Sequence, residues 1–384
     1  MNEPFARLES VNPLPPPAAP GMTVTDVDTP ALLLDLDAFE HNLTQLSQSL
    51  RGFDVRVRPH AKSHKCPAIA LRQIAHGAVG VCCQKVSEAE AMVNGGVGDV
   101  MIANEVAGAS KLARLAALAR TAKISVCVDD IANVAELDQA ARAAGIELTV
   151  LVEVNVGANR CGVEPGEAAL ALASAITKAD ALRFGGIHAY HGAAQHLRTP
   201  QERGEAIAQA VAKVQQTLTL LERNALHADI VTGAGTGTYL LESASRVYNE
   251  IQPGSYVFMD ADYGRNLGDD GQPVQAFRQS LFILATVMSQ PVATRAVVDV
   301  GLKAHSVDSG MPTVPDIAGA RYLRASDEHG VIELTGAGKL RRGQKVRLIP
   351  GHCDPTVNLN DWLVCYRGER VEGTWPISGR GAFY

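Results

Sequence analysis

Short apolar runs alternate with amphipathic segments from about residue 55 to residue 260 of this chain. Runs such as VGVCCQK and LTVLVEVNVG are rich in Val and Leu. Each is followed by a stretch with apolar residues at helical spacing, such as SEAEAMVNGG or GEAALALASAITKAD. Continuous apolar runs are typical of strands that are buried on both faces of a parallel sheet. The alternation therefore predicts an α/β fold, a (β/α)8 barrel, with LLLDL before it set aside as a separate element.

The pattern changes after Phe277 to β-rich runs separated by turns, among them LFILATVMS, TRAVVDVG and KVRLIPGH. These runs predict a second, all-β domain. We predict that residues 1–29 form an N-terminal lead-in that packs with the β domain. Residues 30–274 are predicted to form the barrel, and residues 275–384 the C-terminal β domain.

Composition narrows the class of protein. The 384 residues are 46% hydrophobic and 20% charged, which is typical of a globular enzyme. A net charge of −6 without a cluster of Lys and Arg argues against a nucleic-acid partner and favours a small molecule. No apolar run reaches the roughly 20 residues that a membrane helix needs, and the N-terminal segment lacks a hydrophobic secretion sequence. We therefore predict a cytoplasmic protein without a membrane partner, whose seven cysteines are reduced.

The segment RPHAKSHKC ends the first predicted barrel strand, and barrels of this kind carry their active sites at the carboxyl ends of the strands. Arg58, His60, Lys62, His64 and Lys65 lie within eight positions of one another. Like charges lower the pKa of a lysine and so favour its nucleophilic form. Lys62 is therefore a candidate to form an imine with an aldehyde cofactor. A solvated basic loop is the alternative.

Two further strand ends carry candidate binding groups. The glycine-rich stretch from Gly233 to Thr238 offers successive backbone amides that suit a single phosphate, although simple turns have similar sequences. Arg160 follows a later strand. An arginine that faces a pyridine nitrogen keeps this nitrogen unprotonated and so moderates an electron sink. A surface salt bridge is the alternative for Arg160.

The motif GHCDP in the β domain predicts a metal site. In an extended strand, His352 and Asp354 point to the same face, whereas Cys353 points away. One imidazole nitrogen and one carboxylate oxygen suit Mn²⁺ or Mg²⁺. A structural His–Asp pair is the alternative.

These blocks together resemble the fold-type III, alanine-racemase-like family of pyridoxal 5'-phosphate (PLP) enzymes, and within it the branch of the D-threonine and 3-hydroxy-D-aspartate aldolases. The resemblance covers nearly the whole chain, from DTPALLLDLDAFEHNL through RPHAKSHK, CCQKVSEAEA, AYHGAAQH and GAGTG to GLKAHSVDSG and PGHCDPTVNLNDW. It implies PLP at the barrel mouth. It also implies a homodimer in which the β domain of the second subunit completes the site.

The resemblance also implies roles for single residues. Lys62 matches the Schiff-base lysine, His196 the general base, and His352 and Asp354 the ligands of a divalent metal. The residues that it implies for cofactor binding are Lys62, His60, Gln84, Arg160, Tyr190, Thr232, Gly235, Thr236, Gly237, Tyr256 and Asp260. Among these, Gly235, Thr236 and Gly237 hold the phosphate with help from Tyr256.

The implied activity is that of a carbon–carbon lyase, the retro-aldol cleavage of a D-3-hydroxy amino acid. The metal lowers the pKa of the β-hydroxyl and His196 removes its proton. We expect 3-hydroxy-D-aspartate as the main substrate, with glycine and glyoxylate as products, because Lys303, His305 and Ser306 are candidates to bind its second carboxylate. An ordinary polar loop is the alternative for these three residues. D-threonine, which gives glycine and acetaldehyde, is the second candidate.

Other activities are less well matched. A dehydratase acting on D-serine or 3-hydroxyaspartate holds zinc through His-x-Cys, whereas this chain has His-Cys-Asp, with Cys353 at the wrong parity for a strand. A non-catalytic PLP-binding protein resembles only the barrel and lacks the β domain. A racemase uses an opposed tyrosine, and neither Tyr322 nor Tyr366 lies in such a motif.

Overall fold

The structure, a computed structural model, describes residues 15–335 and 340–384. Residues 1–14, which include the first half of the predicted lead-in, lie outside the described residues. The described strands are β1 (Ala31–Asp35), β2 (Arg56–Val57), β3 (Val81–Cys83), β4 (Asp99–Glu105), β5 (Lys123–Val128), β6 (Leu148–Glu153), β7 (Leu182–His188), β8 (Ile230–Gly233), β9 (Glu250–Ile251), β10 (Leu281–Val292), β11 (Arg295–Val298), β12 (Ala320–Ala325), β13 (Gly330–Leu334), β14 (Lys345–Leu348), β15 (Trp362–Arg367) and β16 (Arg370–Pro376).

Helices connect the strands of the first half of the chain and one short helix lies near its end. The described α-helices are α1 (Leu36–Ser49), α2 (Pro67–Ala75), α3 (Val86–Asn94), α4 (Ala109–Leu118), α5 (Ile131–Ala144), α6 (Glu167–Lys178), α7 (Pro200–Arg223), α8 (Tyr239–Ser245) and α9 (Cys353–Val357). The helix ends follow local sequence. Thr199 and Glu202 cap the start of α7 reciprocally, with Pro200 as its first residue, and Gly145 ends α5 in a left-handed conformation.

Eight parallel strands form the first sheet in the order β2-β9-β8-β7-β6-β5-β4-β3. A parallel bridge between His60 and Cys82 joins the two ends of this order, so the sheet closes into a barrel. Side chains alternate along each strand. Met101 and Cys127 belong to a small cluster inside the barrel, whereas Val100 and Ile102 pack against the surrounding helices. The predicted (β/α)8 barrel is confirmed.

The C-terminal strands form a second sheet in the order β12-β13-β11-β10-β1-β15-β16, with β14 also paired to β10. The predicted all-β character of this domain is confirmed, with the short helix α9 as an addition. Strand β1 pairs with β10 and β15 although the predicted boundary grouped residues 31–35 with the barrel. Both faces of β1 are covered, because Leu32 and Leu34 lie in one core cluster and Leu33 in another. The domain limits themselves stay a prediction.

Residues near the chain start also contact the second sheet. The Gly21 amide donates to the Val371 carbonyl at 2.8 Å, and Thr23 forms a bridge with Arg370. Among the described helices, none has the length and apolar character that a membrane crossing requires.

The barrel mouth lies beside the C-terminal segment that contains α9, since the Ala261 amide donates to the Pro350 carbonyl at 3.0 Å.

Candidate active site

A cavity of about 300 Å³ lies at the carboxyl ends of the barrel strands. Several of its lining residues were predicted from the sequence, namely His60, Lys62, Gln84, Arg160, Tyr190, Gly235 and Thr236. The remaining lining residues were not predicted, namely His188, Ala234, Gln252, Gly254, Ser255 and Tyr263. The topology therefore brings together the predicted groups from five separate strand ends, those of β2, β3, β6, β7 and β8.

Lys62 lies in a 3-10 turn (Ala61–Ser63) that follows β2 after three residues, and 40% of its side chain is accessible. Its ammonium forms an ion pair with the Asp354 carboxylate. Burial lowers the pKa of Lys62, but the charge of Asp354 and then that of Tyr190 outweigh this, so the pKa lies above its ordinary value. The expectation that like charges lower this pKa was wrong, because the charge nearest the Lys62 ammonium is the Asp354 carboxylate and not a second cation.

His60 and Gln84 form the wall beside Lys62. The His60 Nε2 lies 2.8 Å from the amide nitrogen of Gln84. Burial, and then the charge of Lys62, hold the pKa of His60 well below its ordinary value, so the imidazole is neutral. This wall is polar but carries no charge of its own.

A second imidazole forms the cavity floor. His188 at the end of β7 is buried, and its Nδ1 contacts the carboxylate of Glu153, the last residue of the neighbouring strand β6. Burial lowers the pKa of His188, but Glu153 outweighs it and the pKa is raised. The His188 Nε2 lies 3.1 Å from Gln252 Oε1, and Gln252 donates to Thr232 Oγ1 at 2.9 Å. Thr232, predicted to bind the cofactor, thus supports Gln252 instead of lining the cavity.

The glycine-rich turn faces the cavity through Gly235 and Thr236. Thr236 Oγ1 accepts a hydrogen bond from the Tyr256 amide at 3.1 Å. The Tyr256 hydroxyl is turned away and lies 3.3 Å from Gln73 Nε2 in the buried core. The structure therefore does not bring the Tyr256 side chain to the predicted phosphate site.

Asp260 is a further predicted cofactor-binding residue that lies elsewhere. Its carboxylate accepts hydrogen bonds from the backbone amides of Tyr263 and Cys353, both at 2.9 Å. These bonds join the barrel to α9. Asp260 therefore positions the junction between the two domains and is not among the lining residues.

Arg160 and Tyr190 form the outer wall. The guanidinium carbon of Arg160 lies 5.8 Å from the centroid of the Tyr190 ring, and Arg160 is exposed. Both residues line the cavity. Arg160 thus has the reach to contact a planar ring bound in the cavity.

His352 and Asp354 lie on the opposite side. The His352 Nδ1 lies 2.8 Å from Asp308 Oδ2, and its Nε2 lies 4.0 Å from Asp354 Oδ1. A divalent cation about 2.2 Å from each ligand atom fits this separation. The carboxylate of Asp308 orients the imidazole so that Nε2 faces the gap. The donor set therefore fits a cation of the Mn²⁺ or Mg²⁺ type.

The local backbone differs from the predicted strand. His352 precedes helix α9, so Cys353 and Asp354 occupy a first helical turn in which strand parity does not apply. The prediction that Cys353 points away from the site was wrong, because its Sγ lies 3.3 Å from Asp354 Oδ1. Burial raises the pKa of Cys353 well above its ordinary value. The thiol thus lies buried beside the carboxylate of Asp354.

His196 ends a 3-10 turn (Gly192–His196) at the mouth. Its Nδ1 contacts the Asp262 carboxylate, and its ring centroid lies 5.6 Å from that of Tyr263. Asp262 also accepts from Arg198 at 2.6 Å and from Arg265. Two arginines thus share one carboxylate. His196 does not line the cavity itself but packs on Tyr263, which does.

The predicted substrate residues of the β domain lie apart from the cavity. Lys303 is exposed and pairs with Glu328 at 2.6 Å. His305 is fully buried, with its Nε2 3.0 Å from the Tyr322 hydroxyl. Ser306 donates to Asp308 Oδ1 at 2.7 Å and so supports the partner of His352. Nothing in the described geometry brings Lys303 or His305 to a substrate.

Two family models match the chain. Residues 34–262 match the N-terminal domain of alanine racemase, and residues 280–366 match a putative serine dehydratase domain. The chain belongs to the alanine-racemase-like family. Members of this fold-type III family depend on PLP. The cavity fits such a cofactor, because a lysine, a glycine-rich turn and an arginine line it from separate sides.

Individual relatives of this alanine-racemase-like chain are aldolases by name. The chain is 49% identical to the D-threonine aldolase of Arthrobacter sp, over 96% of this chain and 97% of the relative. It is 46% identical to the 3-hydroxy-D-aspartate aldolase of Paracoccus denitrificans (strain Pd 1222), over 96% of each chain. The crystal structure of the D-threonine aldolase from Filomicrobium marinum matches with a TM-score of 0.93 and 49% identity, covering 96% of this chain and all of the other.

Proposed function

We propose that this protein is a lyase that uses PLP and a divalent metal to cleave D-3-hydroxy amino acids between Cα and Cβ. The preferred substrate in this proposal is 3-hydroxy-D-aspartate, which gives glycine and glyoxylate. The observation that carries the proposal is the ion pair between Lys62 and Asp354. It joins the candidate cofactor lysine to the candidate metal ligands in one site.

The barrel side supplies the cofactor groups in this proposal. When bound, PLP supplies an electron sink for the bonds at the substrate Cα. Lys62 would carry its aldehyde carbon, Gly235 and Thr236 would hold its phosphate, and Arg160 would face its ring nitrogen. The neutral His60 beside Lys62 keeps this wall free of a competing positive charge.

The C-terminal side supplies the metal ligands. A divalent ion lowers the pKa of an alcohol that binds to it. His352 and Asp354 would hold this ion, and Asp308 would keep the His352 ring in place through its Nδ1 bond. The substrate hydroxyl would then be ready to lose its proton near neutral pH.

His196 is the proposed base. Asp262 holds its Nδ1, which leaves Nε2 as the nitrogen that accepts a proton. The same arrangement of carboxylate and imidazole orients bases in other enzymes. With Tyr263 against its ring, His196 is fixed at the cavity mouth, where the β-hydroxyl of a bound substrate would lie.

The charge around Asp262 supports a substrate with a second carboxylate. Arg198 and Arg265 both pair with the Asp262 carboxylate, so these three side chains together carry a net positive charge. Arg265 also donates to the Ser309 carbonyl at 3.1 Å and so reaches the loop that carries Asp308. The methyl group of threonine gains nothing from such a charge. These arginines replace Lys303 and His305 as the candidates for the second carboxylate.

D-threonine is the second candidate substrate because the similarity to the D-threonine aldolase of Arthrobacter sp, at 49%, is no lower than that to the 3-hydroxy-D-aspartate aldolase. A dehydratase is disfavoured because the chain is only 28% identical to the D-threo-3-hydroxyaspartate dehydratase of Delftia sp. (strain HT23), against 49% and 46% for the two aldolases. A non-catalytic role leaves the arrangement of His352 and Asp354 without a purpose. The homodimer, with the site completed by the second subunit, is proposed from the family resemblance.

The test is cleavage of D-3-hydroxyaspartate and D-threonine side by side, with the products identified by NMR. We expect glycine and glyoxylate to form faster than glycine and acetaldehyde. The reverse order would assign a D-threonine aldolase. Oxaloacetate or 2-oxobutanoate with ammonia would contradict the proposal and indicate a dehydratase.

A further inference from the structure

We propose that Gln195 is a positioning residue that shapes the phosphate-binding turn at Gly235 and Gly237 and couples it to the turn that carries His196. This inference rests on the proposed function in one respect, which is that the chain binds PLP. Gln195 directly precedes His196 and is fully buried. Its side chain points to the glycine-rich turn and not to the cavity.

The hydrogen bonds of Gln195 leave only one orientation for its amide. The oxygen Oε1 accepts the backbone N–H of Gly237 at 3.0 Å, and the nitrogen Nε2 donates to Thr238 Oγ1 at 2.8 Å and to the His191 carbonyl at 3.3 Å. An N–H group only donates and a carbonyl only accepts, so a flipped amide would lose two of these bonds. Gln195 therefore holds the turn with both ends of its side chain.

The two glycines of the turn are required by this contact. A Cβ at position 235 would lie 2.6 Å from Gln195 Oε1, and a Cβ at position 237 would lie 2.6 Å from the Gln195 backbone oxygen. Neither Gly235 nor Gly237 has a left-handed backbone. The glycines thus allow close approach of Gln195 and do not serve an unusual turn conformation.

This arrangement changes which groups can bind a phosphate. The Gly237 N–H, predicted from the sequence as a phosphate donor, is already bonded to Gln195. Gly235 and Thr236 are the members of the turn that line the cavity. The phosphate site is therefore smaller than predicted, and the position of its amides depends on Gln195.

The network continues into two other elements. Thr238 Oγ1 donates to the buried Glu242 Oε1 at 2.7 Å, and Asn266 Nδ2 donates to the Gln195 carbonyl at 2.9 Å. Asn266 lies four residues after Asp262, whose carboxylate contacts His196. Loss of the Gln195 amide would leave the Gly237 N–H without this acceptor, and Thr238 Oγ1 and the His191 carbonyl without this donor, and would loosen the turn. The glycine-rich turn and the turn that carries His196 would then no longer be held together by Gln195.

The experiment compares the affinity of the apoenzyme for PLP with its affinity for pyridoxal, which lacks the phosphate. The variant is Gln195→Met, which keeps the side-chain length and removes the three side-chain hydrogen bonds. The matched control is Gln209→Met on the exposed face of α7. We expect Q195M to bind PLP about tenfold more weakly and pyridoxal as well as the wild type does. Q209M should match the wild type for both ligands.

A second variant guards against misfolding of the first. Thr238→Val keeps the volume and removes the hydroxyl that accepts from Gln195 Nε2 and donates to Glu242. The other two bonds of Gln195 remain, so a smaller loss of about threefold for PLP alone is expected. Thermal melting of each apoenzyme reports folding. Equal losses for PLP and pyridoxal, or unchanged PLP binding in both variants, would overturn the inference. A wild type that binds neither ligand would instead contradict the proposed function.

Discussion

The two walls of the candidate site are stabilised in different ways. On the barrel wall the polar side chains bond to one another, as in the contact of His188 with Glu153 and of Gln195 with the glycine-rich turn. On the C-terminal wall, the Asp354 carboxylate relies on Lys62 from the opposite wall. The barrel wall is therefore stabilised by contacts within the barrel. The C-terminal wall supplies two ligand atoms, from His352 and Asp354, that a bound cation would join.

This difference predicts separate effects for substitutions in the two walls. Changes to the barrel wall should alter cofactor binding, because the cradle for a planar, phosphate-bearing group lies there. Changes to the C-terminal wall should alter metal binding and turnover while the cofactor stays in place. Lys62 lies on the barrel wall and also pairs with Asp354 on the C-terminal wall, so its loss should have the largest effect.

Substitution of Lys62 by alanine should lower the cleavage rate by on the order of a thousandfold or more, because the covalent attachment of the cofactor is lost. Borohydride reduction followed by peptide mass spectrometry should find PLP on the peptide with Lys62 in the wild type and on no peptide of the variant. Lys178→Ala, at an exposed position of α6, is the control and should retain full activity. An active K62A enzyme would remove the lysine from the proposal.

His352→Ala should lower turnover by on the order of a hundredfold or more while leaving the PLP content unchanged, because only the metal ligand is removed. Cofactor absorbance and metal analysis of the same sample measure both quantities. Loss of PLP together with the metal would show that the two walls do not act separately.

Asp308→Asn should weaken metal binding by about 10- to 100-fold, because it removes the carboxylate that orients the His352 ring. Titration of the activity with Mn²⁺ measures this effect, and a sufficient Mn²⁺ concentration should restore turnover. Failure of added Mn²⁺ to restore it would assign Asp308 a role other than orientation.

Arg265→Met should lower kcat/KM for D-3-hydroxyaspartate about tenfold and change the value for D-threonine little, because only the former carries a second carboxylate. Arg321→Met on the exposed strand β12 is the control. Equal losses with both substrates would argue against a carboxylate contact and would favour a role for Arg265 in holding Asp262.

The smallest expected effect concerns pH. Burial raises the pKa of Glu242 to about 8 from an ordinary value of 4.5. A carboxyl whose pKa is raised by folding stabilises the protein most below the unfolded value and loses this contribution as the pH rises. The free energy of unfolding of the apoenzyme should therefore fall between about pH 4.5 and 8, and Glu242→Gln should reduce this fall. Urea unfolding at several pH values tests it.

Barrel topology explains how much of the site was predictable. Lys62, Arg160 and the glycine-rich turn all follow strands, and parallel strands place such positions at one mouth. His188 and Glu153 were missed because each looks like a single polar residue in an apolar strand, and only the register, which pairs them across β6 and β7, reveals their contact.

The sequence pattern does not predict the direction of single side chains or the local backbone conformation. Nothing in the spacing shows that the Tyr256 hydroxyl turns to Gln73 or that Asp260 binds backbone amides. The segment at His352 has too few residues for periodicity to distinguish a strand from the short helix α9. The apolar sequence of strand β1 suits a buried position in either sheet, so its partner strands could not be assigned from the sequence.

The most direct test of the account is the product formed from D-3-hydroxyaspartate by enzyme that was stripped of metal with a chelator and then given Mn²⁺. We predict that the stripped enzyme retains PLP but forms no glycine, and that Mn²⁺ restores glycine and glyoxylate in equal amounts. Glycine formation at an unchanged rate without metal, or release of oxaloacetate and ammonia, would contradict a metal-assisted cleavage at His352 and Asp354.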